Sequence, residues 1–189
     1  MPETITYSDL RRGMCIELEG EPYQVQEWKH VVMQQRTPTL TLKLRHLRTG
    51  KTYERHVPGN QRLTLAAVEH RQAQYLYTDG RHHYLMDRET YDQYPVSAER
   101  LGEVTKFLKE GMEVDLVFYK GEAVTIELPI TVDLRVTDTA PAFRGDTSQS
   151  GRKPATLETG LVVKVPIHIT PGQVVKVDTR TGEYVESVG

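Results

Sequence analysis

The sequence predicts an all-β chain of three small barrels, and three observations lead there. Glycine-centred turns recur at short intervals between runs of alternating polarity, a single segment carries convincing helical spacing, and the formal charge steps from +3 over residues 1–65 to −5 over 66–129 and 0 over 130–189. The turn signals are Leu18-Glu19-Gly20-Glu21, Arg48-Thr49-Gly50-Lys51, Thr78-Asp79-Gly80-Arg81, Tyr119-Lys120-Gly121-Glu122 and Thr181-Gly182-Glu183. Glycine adopts the positive φ of a tight hairpin at no steric cost. A parallel sheet would need a helix between successive strands, so hairpins in series fit small barrels better.

Along the chain, Ser8-Asp9-Leu10-Arg11-Arg12 reads as a short turn ending at Gly13. The clearest strand is Thr39-Leu40-Thr41-Leu42-Lys43-Leu44-Arg45. Its period of two puts the leucines on a core face and Thr39, Thr41, Lys43 and Arg45 on the other. Ser97 can cap one helix whose Leu101, Val104, Phe107 and Leu108 share a face. Val114, Leu116 and Phe118 with Val124, Ile126 and Leu128 form a second hairpin, and Val132, Leu134 and Val136 with Leu161, Val163 and Val165 begin a third sheet. Pro58-Gly59-Asn60-Gln61 breaks the first sheet before the acidic segment begins near Ala66, and Pro129 separates two β runs, so domain boundaries are expected near Ala66 and Pro129.

Composition narrows the class. Hydrophobic residues make up 38% and charged residues 26%, with 10 tyrosines but one tryptophan, a balance suited to several modest cores. The single Cys15 rules out an intramolecular disulfide and multi-cysteine metal sites, and a lone thiol suits a reducing compartment. No segment has a signal-peptide layout and no apolar run reaches the roughly 20 residues that span a bilayer, so a soluble cytoplasmic protein without membrane contact is expected.

The positive charge is concentrated. From Arg36 to Arg55 stand Arg36, Lys43, Arg45, Arg48, Lys51 and Arg55 against only Glu54. A local cationic strip on a nearly neutral chain suggests positioned phosphate contacts, and the residues alone also allow a solvated strand face. No phosphate-binding glycine loop, nucleophile elbow or zinc-protease motif is present, and neither a cofactor nor a metal nor catalytic residues are expected. His82 and His83 are adjacent on a strand and point to opposite faces, which suits a half-exposed pair better than a shared metal. Asp87, Glu89 and Asp92 read as a solvated acidic face. Tyr75, Tyr77, Tyr84, Tyr91 and Tyr94 could stack bases but are expected to fill a small barrel with a polar rim.

The stretch Gly145-Asp146-Thr147, followed by Lys153-Pro154-Ala155-Thr156-Leu157, Thr159-Gly160, Val165-Pro166 and Lys176-Val177-Asp178-Thr179-Arg180, resembles the last domain of bacterial translation elongation factor P. Lys43-Leu44-Arg45-His46-Leu47-Arg48-Thr49-Gly50 is similar to its first domain, and Gln74-Tyr75-Leu76-Tyr77-Thr78-Asp79-Gly80 with Met86 to its second. The resemblance runs from about Tyr7 to the end. It implies an SH3-like amino-terminal domain over 1–65 followed by two OB-fold domains over 66–129 and 130–189. It also implies a monomer that binds the ribosome between the peptidyl and exit sites, beside peptidyl-tRNA, and relieves stalling at consecutive prolines without covalent chemistry of its own.

By that resemblance, a hairpin tip at Gln34, Gln35 and Arg36 reaches the tRNA acceptor end, with Lys43 and Arg45 forming a basic strip that leads to it. A ribosome-facing loop holds Gly145, Asp146, Thr147, Ser150, Arg152 and Lys153 and approaches the exit-site codon of the mRNA. Two departures stand out. Gln35 occupies the position where many members carry a modified lysine, or in another branch a glycosylated arginine, and Val31-Val32-Met33-Gln34-Gln35-Arg36-Thr37-Pro38 replaces a glycine-rich tip. An amide is neither a nucleophilic amine nor a charge, so lysyl-type modification cannot occur there. Ser148, Gln149, Ser150 and Arg152 replace smaller family residues. The chief alternative is a general single-stranded RNA-binding OB-fold protein, which would bind short RNA without ribosomes; an enzyme using the histidine or carboxylate clusters would need a pocket of convergent, perturbed groups.

Overall fold

The computed structural model describes residues 2–141 and 151–189. Its first sheet contains β1 (Thr4–Ile5), β2 (Cys15–Leu18), β3 (Glu21–Val31), β4 (Thr39–His46), β5 (Thr52–Pro58) and β6 (Leu63–Leu65), in the spatial order β1-β6-β2-β3-β4-β5. The expected alternation holds on β4, where Leu40, Leu42 and Leu44 are fully buried while Thr39 and Lys43 are exposed. With Leu10, Ile16, Val25 and Leu63 they fill the first core. The turn after β1 is a single 3-10 turn, Tyr7–Asp9, held by a reciprocal capping box between Thr6 and Asp9.

The second sheet comprises β7 (Val68–Thr78), β8 (His82–Asp87), β9 (Gln93–Ser97), β10 (Glu113–Tyr119) and β11 (Glu122–Glu127), with α1 (Ala98–Leu101) between β9 and β10. The third comprises β12 (Thr131–Thr139), β13 (Arg152–Leu157), β14 (Val162–Pro166), β15 (Val174–Asp178) and β16 (Tyr184–Val188). Their orders, β11-β10-β7-β8-β9 and β14-β13-β12-β15-β16, are the same topology. In each the first strand is central and the third and fifth approach across the gap, curling the sheet into a five-stranded, partly open barrel. The β2–β3 and β10–β11 hairpins turn on Glu19-Gly20 and Lys120-Gly121, with φ of 52° and 79°, and 49° and 79°, the mirror-image turns whose twist suits a hairpin.

Four expectations are corrected. The helix after Ser97 is one α turn followed by a 3-10 segment, Gly102–Phe107, because Gly102 takes φ +62° and ends the α geometry. Ser97 does cap it, accepting the Arg100 N–H, but its apolar residues divide between two cores. Leu101 and Leu108 pack in the middle barrel, whereas Phe107 enters the third with Val132, Leu134 and Val177.

Asp87 is not solvated: it is 3% exposed, accepts the N–H groups of Glu89 and Thr90, and lies 3.6 Å from Arg71. Those hydrogen bonds, with the guanidinium adding to them, hold its carboxyl below the usual range. Of the histidine pair, His82 is exposed as its face requires, but His83 is buried against the Tyr75 hydroxyl, and burial lowers its pKa. The tyrosines divide similarly. Tyr75 is in the core and Tyr94 packs edge-on to Phe118, while Tyr91 is exposed and Tyr77 stacks outside on Tyr84 with centroids 4.6 Å apart.

Two hairpin turns carry acid-sensitive stability. Asp79 accepts the N–H groups of His82 and Arg81, and Asp178 accepts from the Arg180 side chain and N–H; each carboxyl is lowered from 3.8 to about 2. A carboxyl depressed on folding stabilises the fold above its unfolded pKa, and that contribution is lost as pH falls through the folded value. Between about pH 4 and pH 2, urea melts of Asp79→Asn/Asp178→Asn should therefore lose less stability than those of the parent; parallel losses would remove these turns from the acid response.

Candidate functional site

The arm that carries the tip is the β3–β4 hairpin. A bulge between Val25 and Glu27 lets β3 continue beyond the barrel, and the last pair is Val31 with Thr39. His30 stacks face to face on Tyr7, with centroids 3.7 Å apart and planes within 4°, and the Gly59 N–H donates to the Pro38 carbonyl at 2.7 Å. These contacts brace both strands at the base of the tip. Beyond them, residues 32–37 are all exposed.

The Arg36 N–H donates to the Met33 carbonyl at 3.2 Å, closing a turn around Gln34 and Gln35, and Gln35 has φ +65°. That is a position where glycine or asparagine is usual, and a side chain there costs about 1–2 kcal/mol. Gln34, Gln35 and Arg36 thus stand together at the outermost point of a braced arm. Val32 and Met33 flank them, 68% and 57% exposed.

The cations counted between Arg36 and Arg55 do not form one strip. Lys43 faces outward, but its cross-strand neighbours are Glu27 on β3 and Glu54 on β5. Arg55 lies on the opposite face, 3.9 Å from Glu19. The Arg48 guanidinium sits over the Tyr119 ring of the middle barrel, 5.6 Å from its centroid.

Arg45, expected to face RNA, turns to the middle barrel instead and donates from Nη2 to the carbonyls of Glu99 and Arg100 at 2.8 Å each. Burial lowers its pKa from the usual arginine value, opposed by the Glu103 carboxylate, and a guanidinium remains charged under such a shift. The motif 43–50 is therefore largely a joint between two barrels. Under it lies a separate apolar cluster of Leu47, Ala66, Val117, Tyr119 and Val124, with Cys15 packed against it. Burial, reinforced by the Glu127 charge, pushes the Cys15 thiol up to about 11, which leaves it without thiolate reactivity at neutral pH.

In the third barrel, Arg152 and Lys153 begin β13 and so point to opposite faces. Arg152 is exposed, with its guanidinium 5.9 Å from the Tyr184 ring centroid. Lys153, expected on the ribosome-facing loop, faces inward opposite the buried Val165, and its Nζ donates to the Ala140 carbonyl. Its ammonium is an internal tie. Gly145, Asp146, Thr147 and Ser150 lie outside the described residues. Among the described residues, no group of three or more histidine, cysteine, aspartate or glutamate side chains is placed to hold a metal, and no helix is long and apolar enough to cross a membrane.

Residues 6–62 match the family model described as Elongation factor P (EF-P) KOW-like domain, 68–126 that of Elongation factor P (EF-P) OB domain, and 132–187 that of Elongation factor P, C-terminal. Over 184 residues the chain is 47% identical to the Elongation factor P of Thermodesulfovibrio yellowstonii, covering 97% of this chain and 98% of that one. The chain belongs to the elongation factor P family. It is 45% identical to the member from Pelotomaculum thermopropionicum and 44% identical to that from Carboxydothermus hydrogenoformans, in each case over 97% of this chain and 100% of the relative. Among solved structures it is similar to a eukaryotic translation initiation factor 5A from Methanococcus jannaschii, at 16% identity and a TM-score of 0.48 over 67% of this chain and 92% of that one, a likeness too distant to carry an argument.

As a member of the elongation factor P family, the chain is a translation elongation factor with an all-β, three-domain fold. Reading the sequence strand by strand missed the joint. The signal for it was the unbroken run Leu116-Val117-Phe118-Tyr119, where alternation stops because both faces are covered. Leu116 and Phe118 belong to the middle core, and Val117 and Tyr119 to the cluster shared with the first barrel.

Proposed function

We propose that this elongation factor binds the ribosome between the peptidyl and exit sites and promotes peptide-bond formation when peptidyl-tRNA stalls at consecutive prolines. The observation that carries the reading is the exposed turn at Gln34, Gln35 and Arg36, at the end of an arm braced by the Tyr7–His30 stack. Holding an acceptor end in reactive geometry lowers a barrier by removing unproductive freedom, and needs no catalytic group on the protein. Arg36 supplies a planar, charged fork suited to a phosphate, and Gln35 supplies neutral hydrogen bonds. Lys43 and Arg152 remain as exposed cations for backbone contacts. The segment from Gly145 to Ser150 is assigned to the exit-site codon by family likeness. The factor acts as a cytoplasmic monomer.

The test is reconstituted translation of a message encoding three consecutive prolines beside one encoding none. Purified factor should speed only the first, and it should bind ribosomes more tightly than short single-stranded RNA. Equal rates on both messages, with tight binding to free RNA, would favour a general RNA-binding role. Within this reading, Arg152→Ala should reduce the slope of log affinity against log salt by about one ion, as expected for one lost phosphate contact. Lys153→Met should leave that slope unchanged and lower the melting temperature, because its ammonium is spent on Ala140. A slope change in Lys153→Met with unaltered melting would return Lys153 to the interface.

A further inference from the structure

A helix of one turn has almost no internally bonded carbonyls, so α1 needs partners for those at Glu99 and Arg100. Arg45, from the first barrel, provides both bonds from one nitrogen. Its seat exists because residue 102 is glycine: a Cβ there would overlap the Arg45 guanidinium, and φ +62° is a backbone state that side chains rarely adopt. Gly50 makes the second close approach, since a Cβ there would overlap the Glu99 carbonyl.

Arg100 returns the contact, donating from Nε to the Arg48 carbonyl at 2.8 Å and from Nη1 to the Ala123 carbonyl at 3.0 Å, with Nη2 on Glu122. His46 completes the turn: its Nδ1 accepts the N–H groups of Arg48 and Thr49, and its Nε2 faces Glu21 at 3.0 Å. The apolar cluster beneath gives adhesion without direction, whereas two crossed arginines on backbone carbonyls define an angle.

We propose that this two-arginine clasp aims the arm, with Arg45 a positioning residue that fixes the direction in which β3 and β4 leave the middle barrel. The proposal rests on the reading that the tip acts at peptidyl-tRNA. Arg45 lies on β4, the strand that leads directly back from the tip. From Arg45 to Thr39 β4 runs about 20 Å, so a rotation of about 5° at the clasp moves its far end by about 2 Å. Misplacement of about 1 Å can cost on the order of a hundredfold in a step that depends on orientation.

The experiment measures three quantities on the full chain: the distance distribution between spin labels at Glu27→Cys on the arm and Glu89→Cys on the middle barrel, the ribosome dissociation constant, and the rate of proline-stall relief at saturating factor. Arg45→Ala and Gly102→Ala should broaden a single narrow distance and lower the saturated rate by about tenfold or more, with ribosome affinity within about twofold. Arg45→Lys, which keeps the charge but not the fork, should fall between. A folded Arg45→Ala with the parent's distance and rate overturns the proposal. Should that variant not fold, Gly102→Ala, which retains Arg45 but blocks its seat, decides in the same way. If the parent itself relieves no stall, the functional reading fails, and the label distances still judge the clasp.

Discussion

Replacing Gln35 and Arg36 together by alanine is expected to remove most stall relief while leaving ribosome binding close to that of the parent. Both side chains stand on an exposed turn with no structural partner for their side chains among the described contacts, so their loss leaves the fold intact. A hydrogen bond to a charged group is worth about 1.5–3 kcal/mol, so loss of the Arg36 contact alone predicts about a ten- to hundredfold slower saturated rate. Gln35→Gly separates backbone from side chain. It preserves the φ +65° turn, and relieves its strain, while deleting the amide. Activity retained in Gln35→Gly and lost in Arg36→Ala would assign the work to the guanidinium. Intact-mass measurement of protein from its native host completes the test, with an unmodified mass expected; a sugar-sized increment on Arg36 would show a modified tip displaced by one residue. If the double variant relieves stalls as well as the parent, the tip is not the acting element.

Phe107→Ala should have the largest effect on stability. Phe107 is carried by the segment after α1 but is buried in the core of the third barrel, among Val132, Leu134 and Val177. Removing a buried phenylalanine costs about 3–5 kcal/mol. For a barrel of this size each kcal/mol moves the midpoint by about 4–8 °C, so calorimetry should show the third barrel melting about 12 °C or more lower, with the first barrel unmoved. The Thr159 hydroxyl on the Lys106 carbonyl and the Lys109–Glu158 pair, 3.3 Å apart, remain as polar ties between the two barrels. Polar ties at a surface contribute little by comparison. An equal shift in every transition would mean that Phe107 holds the whole chain rather than one junction.

What the sequence determined by itself is whatever neighbouring residues decide between them. The five glycine turns, the Leu40-Leu42-Leu44 core face and the Ser97 cap were all legible, because turn conformation and period-two alternation are set within a few residues; the position of Gln35 at a hairpin tip came from the family likeness alone. The family likeness was legible in the same way. Only the tertiary structure decided what the outward-facing residues meet. Arg45 alternates as an exposed cation should, yet the carbonyls of Glu99 and Arg100, more than fifty residues later, engage its guanidinium and leave it half-buried. Lys43 stands between Glu27 and Glu54 on the neighbouring strands, a cross-strand setting that a charge count along one segment does not show. Lys153 and Phe107 read as loop and helix residues until β12 and the third core are in place around them. Periodicity names the face on which a side chain lies; whether that face meets water or another barrel depends on long-range packing, which local sequence does not encode.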